Sequence, residues 1–279
     1  MARGAHVEVR NVTFRYEQGH ASVPVLDRLS FEVRAGEFAA VVGRSGCGKT
    51  TLLNLLAGFL PCTEGAVFAD GVRIEEPSPE RAVILQENNL LPWLTVAGNV
   101  MLPLLARRMP HRNARARVWE LLELVGMEGY SGYYPSRLSG GMKQRVAFVR
   151  ALAAEPKVIL MDEPFTSLDW VSRQELQQEL LAVLERGPRT VILVTHDLDE
   201  ALFLADRVLV MSGRPASLAS AFTVDVPRPR DRTPERALLL LALKERLLAG
   251  LSPGTAPHAS GGTRPPPVER VEQPERGWR

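Results

Sequence analysis

The chain is poor in cysteine. Its 279 residues include two, Cys47 and Cys62, which have no metal-ligand spacing and cannot form a disulfide framework. Such sparing use suits a reducing compartment. An excess of charge of one sign is also missing: 34 Lys and Arg face 32 Asp and Glu, for a net charge of +2. That balance sets up no strong field toward nucleic acid or an anionic membrane, and no nucleic-acid partner is expected. No uncharged apolar run approaches the ~18 residues of a membrane span. A chain of this kind working at a membrane would dock to something already there. The opening MARGAHVEVR lacks an apolar h-region, so no signal peptide is expected. There is no internal repeat. What remains is ordinary, with 45% hydrophobic and 24% charged residues. That suffices for a sizeable core in one large domain or two small ones.

Local patterns then assign elements. Residues 6–16 alternate, with Val7, Val9, Val12 and Phe14 among polar neighbours, as in a half-exposed strand. LSFEV (29–33) alternates too. FAAVV (38–42), KVILMD (157–162) and TVILVTH (190–196) are short apolar runs suited to buried strands. GAVFADG (65–71), RAVILQ (81–86) and RVLVMS (207–212) read as further strands, and TLLNLLAGF (51–59) has helical spacing. From about 90 to 155 the pattern is mostly helical. Strands alternating with helices predict a parallel α/β sheet, and the helical stretch reads as an inserted subdomain. A last helix is predicted from Thr233 as N-cap and Pro234 to Gly250. From Ser252 the chain is rich in Pro and Gly, which predicts a disordered tail over 252–279.

The densest signal is GRSGCGKTT, residues 43–51. It fits G-x-x-x-x-G-K-[ST] through Gly43, Gly48, Lys49 and Thr50, with a buried strand before and a helix after. Glycines let successive N–H groups converge on one point. The helix N-terminus adds partial positive charge, Lys49 adds a full one, and the Thr50 hydroxyl can ligate Mg²⁺. The thing held is a polyphosphate. Cys47 within the loop is either a modifiable thiol, its pKa lowered by the helix N-terminus, or a small residue that fits.

VILMDEP (158–164) ends a buried strand in two acids. Ligands of open parallel sheets bind at the carboxyl ends of strands. Asp162 is therefore a candidate to hold Mg²⁺ directly or through water, and Glu163 to polarise the attacking water as general base. The alternative is a turn in which Asp caps the next helix. His196, at the end of TVILVTH, is a candidate for the terminal phosphate or the attacking water; otherwise it is a helix-start residue in THDLDEAL, where Thr195 and Asp197 can cap.

A second helix N-terminus shaped for an anion opens at LSGGMKQR (138–145). This stretch resembles the signature motif of ATP-binding-cassette (ABC) ATPases. The resemblance runs from residue 7 to about 215 with every motif in family order. GRSGCGKT matches the Walker A loop and VILMDE the Walker B strand. Gln86 matches the Q-loop glutamine, SLD (167–169) the D-loop through Asp169, His196 the switch histidine, and Tyr16 the aromatic that stacks on adenine. Tyr16 could instead be a strand-edge aromatic, Gln86 an ordinary polar strand end, and Asp169 a helix cap.

The resemblance implies an α/β P-loop NTPase core with an N-terminal antiparallel β subdomain and a helical subdomain inserted at about 88–155. It implies an ABC ATPase domain over 1–225, a helical extension over 226–251 and the tail beyond. ATP would be bound by Tyr16, Gly43, Arg44, Ser45, Gly46, Cys47, Gly48, Lys49, Thr50 and Thr51. Mg²⁺ would be held by Thr50, Gln86 and Asp162, and Glu163, His196 and Gln86 would serve hydrolysis. The ATP of a partner subunit would meet Ser139, Gly140, Gly141 and Gln144. Two such chains would face head to tail as a homodimer on the cytoplasmic face of the inner membrane. There they would drive permease subunits supplied by a periplasmic solute-binding protein.

Within the family, PERAVILQENNLLPWLTVAGNV (79–100), MDEPFTSLD and VPRPRDRTPE (226–235) resemble ATPase subunits of nitrate/sulfonate/taurine-type importers. That subfamily extends to bicarbonate, aromatic sulfonates and pyrimidine precursors of thiamine. Gly98 stands where a glutamate is usual, and the tail is extra. The alternatives are the ATPase of a split exporter or lipid-extraction system, and a soluble ABC ATPase. Translation factors of the soluble kind carry two cassettes per chain, and DNA-maintenance members place long coiled coils where this chain has only the short stretch from Lys49 to Ser139. The apolar LLPW (90–93) is a candidate docking surface, with local core packing as the rival reading.

Overall fold

The computed structural model describes residues 4–19, 21–185, 187, 189–226, 230, 241, 243–245, 248 and 268–269. One sheet organises them. Its parallel part is built from β3 (Phe38–Gly43), β6 (Arg81–Ile84), β7 (Val158–Asp162), β8 (Thr190–Thr195) and β9 (Arg207–Gly213), side by side as β6-β7-β8-β3-β9. Beyond β9 the order continues through β10 (Ala216–Thr223), β2 (Ala21–Val33), β1 (Val7–Gln18), β4 (Glu64–Ala69) and β5 (Val72–Arg73). β1 pairs antiparallel with both β2 and β4, which forms the expected N-terminal antiparallel part.

The buried strands read correctly because each is apolar on both faces. Phe38, Ala40 and Val42 of β3 point into one core with Ile159, Met161 and the helices of the insert. Ala39 and Val41 point the other way, with Leu160, Val194 and helix α1 (Lys49–Ala57). Fully burying each of the larger side chains contributes about 1.5–3 kcal/mol, and each alanine methyl less.

The insert lies between β6 and β7, which are neighbours in the sheet. It carries α2 (Val96–Ala106), α3 (His111–Glu123) and α4 (Gly140–Ala153), whose inner faces, among them Val100, Leu122 and Val149, join the first core. Helices α5 (Trp170–Glu185) and α6 (Leu198–Leu204) pack on the same side. Among the described residues no helix is long and apolar enough to cross a membrane.

Three local expectations need correction. β2 begins at Ala21, not Leu29; its exposed first residues, with Pro24 among them, show no inward apolar alternation and are held by backbone pairing to β1. β10 was unread, since ASLASAFT is mostly small and polar, yet Ala216, Ala221 and Phe222 are buried. In the tail, Val268–Glu269 (β11) pairs in parallel with Ala221 and Phe222. β2 meets β10 only at Ala216, so that edge of β10 is otherwise open, and an open edge recruits a strand. The rest of 252–279 and the predicted cap at Thr233 lie outside the described residues. Leu241, Leu243, Lys244, Glu245 and Leu248 are helical, in line with the expected last helix.

Candidate functional site

Strand register alone gathers the site. Val42 pairs with Thr195, Val194 with Asp162, and Met161 with Ile84. The next residues along these strands, Gly43, His196, Glu163 and, two beyond Ile84, Gln86, therefore leave the sheet at one carboxyl edge. Gln86 is exposed there.

The loop from Gly43 curls into α1 through left-handed backbone at Gly46 (φ 74°) and Gly48 (φ 97°). Space demands glycine as well: a Cβ on Gly43 would come within 2.7 Å of the Met211 carbonyl oxygen, and one on Gly48 within 2.8 Å of Val25. Lys49 is buried and folds back over the loop. Its Nζ donates to the carbonyls of Gly43 (2.9 Å) and Arg44 (3.2 Å). The loop thus wraps its own cation at the mouth of a helix N-terminus. Arg44, Ser45 and Gly46 are exposed, and the Arg214 guanidinium lies against Ser45. Cys47 is buried, and burial pushes its thiol up despite the nearby Lys49 ammonium. It fills space beside Gly43 and is not an activated thiol.

Tyr16 sits at the rim, 39% exposed, its hydroxyl 3.4 Å from that of Thr51 and its ring edge-on to Phe14 at 4.8 Å. It is a strand aromatic, partly exposed.

Asp162 ends β7 almost buried. Burial pushes its carboxyl up, a hydrogen bond with the Thr50 hydroxyl opposes this, the Glu163 carboxylate adds to it, and Lys49 lowers it. Two oxygen groups thus face each other beside a phosphate-type loop in a place that disfavours bare negative charge. That donor set suits Mg²⁺, a hard cation that takes oxygen ligands.

Glu163 adopts left-handed backbone (φ 45°), a costly state for a residue with a Cβ and one found at functional sites. Its amide donates to the Val194 carbonyl at 2.9 Å. Its Oε2 lies 2.9 Å from Nδ1 of His196 and accepts from the Thr166 hydroxyl. Capping of α6 falls to Asp197, which accepts from the amides of Asp199 and Glu200. That leaves the His196 ring free to meet Glu163.

Asp169 is a helix cap: its Oδ1 accepts from the amides of Val171 and Ser172, and bonding to Ser172 holds its carboxyl below the usual range. Ser139 caps α4 through the Met142 amide. Ser139 and Gly140 are exposed, and a Cβ on Gly140 would meet nothing within 4 Å. Gly141 packs toward Ser172 and Leu168, not toward the phosphate loop. Gln144, expected beside Ser139 and Gly140, is 2% exposed and one turn into α4.

Sequence reading missed two contributors. Asn99 is fully buried; its side-chain amide donates to the carbonyls of Leu91, Leu94 and Thr95, and its oxygen accepts from the Leu91 amide. It shapes the 90–95 loop and leaves Trp93 70% exposed. Leu90, by contrast, packs against the core, so the docking reading narrows to Trp93. Gly98 stands at the third residue of α2, where a glutamate would complete a capping box with Thr95. The second contributor is Arg230, buried, donating to the carbonyls of Val226, Leu202, Phe203, Ala205 and Val224.

Comparison with known proteins gives a consistent picture. The ABC transporter family profile matches residues 26–166. The taurine import ATP-binding protein TauB of Rhizobium johnstonii is 43% identical over 222 residues, 80% of this chain and 84% of that protein. The nitrate import ATP-binding protein NrtD of Synechococcus elongatus is 46% identical over 211 residues, 74% of this chain and 77% of that one. Among solved structures, the post-hydrolysis dimer of the ATP-binding cassette MJ0796 bound to ADP and Pi superposes with TM-score 0.70 at 30% identity, covering 79% of this chain and all of that one.

Proposed function

The chain belongs to the ABC transporter family of ATP-binding proteins, and from that premise we propose that it is the ATP-hydrolysing subunit of an importer for nitrate, taurine, another sulfonate or a related small solute. The observation that carries the hydrolytic reading is the Glu163–His196 contact, at the same sheet edge as the Thr50–Asp162 pair and the Lys49 loop. Import is supported by the relatives named above, both import subunits covered over most of their length.

The residues divide the work by position. The loop 43–51 would take the phosphates of ATP, with Lys49 exchanging the carbonyls of Gly43 and Arg44 for phosphate oxygens. Tyr16, partly exposed at the rim, would stack on adenine. Thr50, Asp162 and Gln86 would hold Mg²⁺, which when bound offsets charge on the phosphate oxygens. Glu163 would accept the proton of the attacking water, a role it fits because its carboxylate is fixed by His196 and Thr166. His196 would orient Glu163 and reach the terminal phosphate. Ser139 and Gly140, exposed at a helix N-terminus, fit the ATP of a second copy in a head-to-tail homodimer; the dimeric cassette neighbours support that arrangement. Closure of that dimer would drive permease subunits from the cytoplasmic face of the inner membrane, with an external binding protein delivering the solute.

Affinity purification of the full chain from its native membranes tests this. We expect ATPase activity together with a permease and a solute-binding protein in the same operating complex. An exporter-type permease with no binding protein would replace the import reading, and activity with no membrane partner would favour a soluble ATPase.

A further inference from the structure

Arg173, in the first turn of α5, spans two of the segments discussed above. Its Nη2 donates to the carbonyl of Leu168 at 3.3 Å, and its Nη1 lies 3.4 Å from Oδ2 of Asp197. Leu168 directly precedes Asp169, and Asp197 directly follows His196. Both ends of the bridge are otherwise held in place. Asp169 caps the helix that carries Arg173. Asp197 uses its other oxygen to cap α6, and its own amide donates to the Thr195 hydroxyl at 3.0 Å. The turn carrying His196 is therefore fixed on one side by backbone and hydroxyl and on the other by the guanidinium.

We propose that Arg173 is a positioning residue for hydrolysis: it couples the 167–169 loop to the histidine turn, and so sets the contact of His196 with Glu163. This rests on the hydrolytic reading given above. The planar fork suits the task, because one nitrogen serves the carbonyl and another the carboxylate in fixed geometry. A lysine in its place has one point charge for two partners. Arg173 does not touch the phosphate loop in any contact described, so nucleotide binding is not expected to depend on it. Movement of the 167–169 loop, whatever its source, would reach the histidine turn through this side chain.

The test measures ATP turnover per competent site in the full chain, with sites counted by ATP-binding stoichiometry. The variants are Arg173→Met, Arg173→Lys, Asp197→Asn and the double variant Arg173→Met/Asp197→Asn, with Glu163→Gln as reference. Asparagine caps helices as well as aspartate does, so Asp197→Asn removes charge while keeping the cap. We expect Arg173→Met to lower kcat roughly tenfold with KM for ATP within about twofold of the wild type, as coupled neighbours do. Arg173→Lys should recover part of the loss, and the double variant should be no slower than the slower single. Turnover of Arg173→Met within about twofold of wild type overturns the inference, as do losses that multiply in the double variant. If Glu163→Gln itself hydrolyses ATP normally, the assignment of the site fails and this inference fails with it. If Glu163→Gln is inactive and Arg173→Met is not, only the inference falls.

Discussion

His196 Nδ1 and Glu163 Oε2 are 2.9 Å apart, although the two residues are 33 positions apart in the chain. The contact exists because β7 and β8 are parallel neighbours whose ends are in register. The same oxygen accepts from the Thr166 hydroxyl, so the carboxylate is held between two side chains.

Glu163→Gln keeps the shape of that pair and removes one charge. Turnover should fall roughly 10²–10⁴-fold while ATP binding persists. Lys49→Ala should do the reverse, weakening binding itself, since it deletes the cation wrapped by the loop. Isothermal titration alongside steady-state hydrolysis separates the two. Normal hydrolysis by Glu163→Gln would remove Glu163 from the base role.

Glu200 should make stability depend on pH. Burial, with the Asp197 carboxylate adding to it, pushes its carboxyl up to about 7, against hydrogen bonds from Thr195 and Gln177 and the charge of Arg173. In the unfolded chain it would titrate near ~4.3. Between those values the folded state binds the extra proton. The associated stability is full below about 4.3 and is lost as pH rises through about 7, by roughly 4 kcal/mol at most. Glu200→Gln should therefore melt at a higher temperature than wild type at pH 8, with the gap closing toward pH 5. Parallel melting curves across that range would show that Glu200 does not titrate there.

The buried Arg230 ties residues at the end of α6 to the chain that follows β10. Arg230→Ala would orphan several buried carbonyls at once, at a cost of roughly 3 kcal/mol. We expect a clear drop in urea midpoint without change in the slope. An unchanged midpoint would mean that water replaces the guanidinium.

How much of this was legible beforehand follows from range. Buried strands such as FAAVV and VILMD announce themselves by local apolarity, and the phosphate loop by glycines whose backbone is constrained within nine residues. The site edge was legible too, because parallel strands deliver their ends together. Arg230 and Asn99 were not. Their partners are backbone groups, which carry no sequence signal, and Arg230 finds three of its own at the end of α6. β10 was missed because its burial comes from neighbours rather than from its own small side chains. The burial of Gln144 was not legible either, because a motif gives spacing along the chain but not which side of a helix faces inward.

Trp93 stands on a loop braced by Asn99 yet remains mostly exposed. Large exposed aromatics are frequent anchors of interfaces. Trp93→Ala should reduce recovery of the chain with membranes while leaving its melting temperature within about a degree, as for a surface change. Loss of the cooperative melt in the isolated subunit would instead mark Trp93 as part of the packing.

The composite nucleotide site can be tested without trusting overall turnover. Ser139 and Gly140 face open space, and nothing lies within 4 Å of where a Cβ on Gly140 would stand. A helix N-terminus so exposed is poorly placed to serve the loop of its own chain, whose neighbours are Val25, Met211 and Arg214. Consider a mixed dimer in which one chain carries Lys49→Ala and the other Ser139→Arg. If each ATP lies between chains, one site receives both defects and the other neither. If each site lies within one chain, every site has one defect. Arginine is chosen because its bulk blocks approach of a phosphate to the helix start, whereas loss of the hydroxyl alone would be mild. Steady-state hydrolysis reports both sites together, so trapping of nucleotide in a Glu163→Gln background is the better measure. One tightly held ATP per purified mixed dimer is expected, and none in either single-variant homodimer. A stable mixed dimer that traps no nucleotide would count against the head-to-tail arrangement, because the intact Lys49 of one chain and the intact Ser139 of the other would then have failed to make a site.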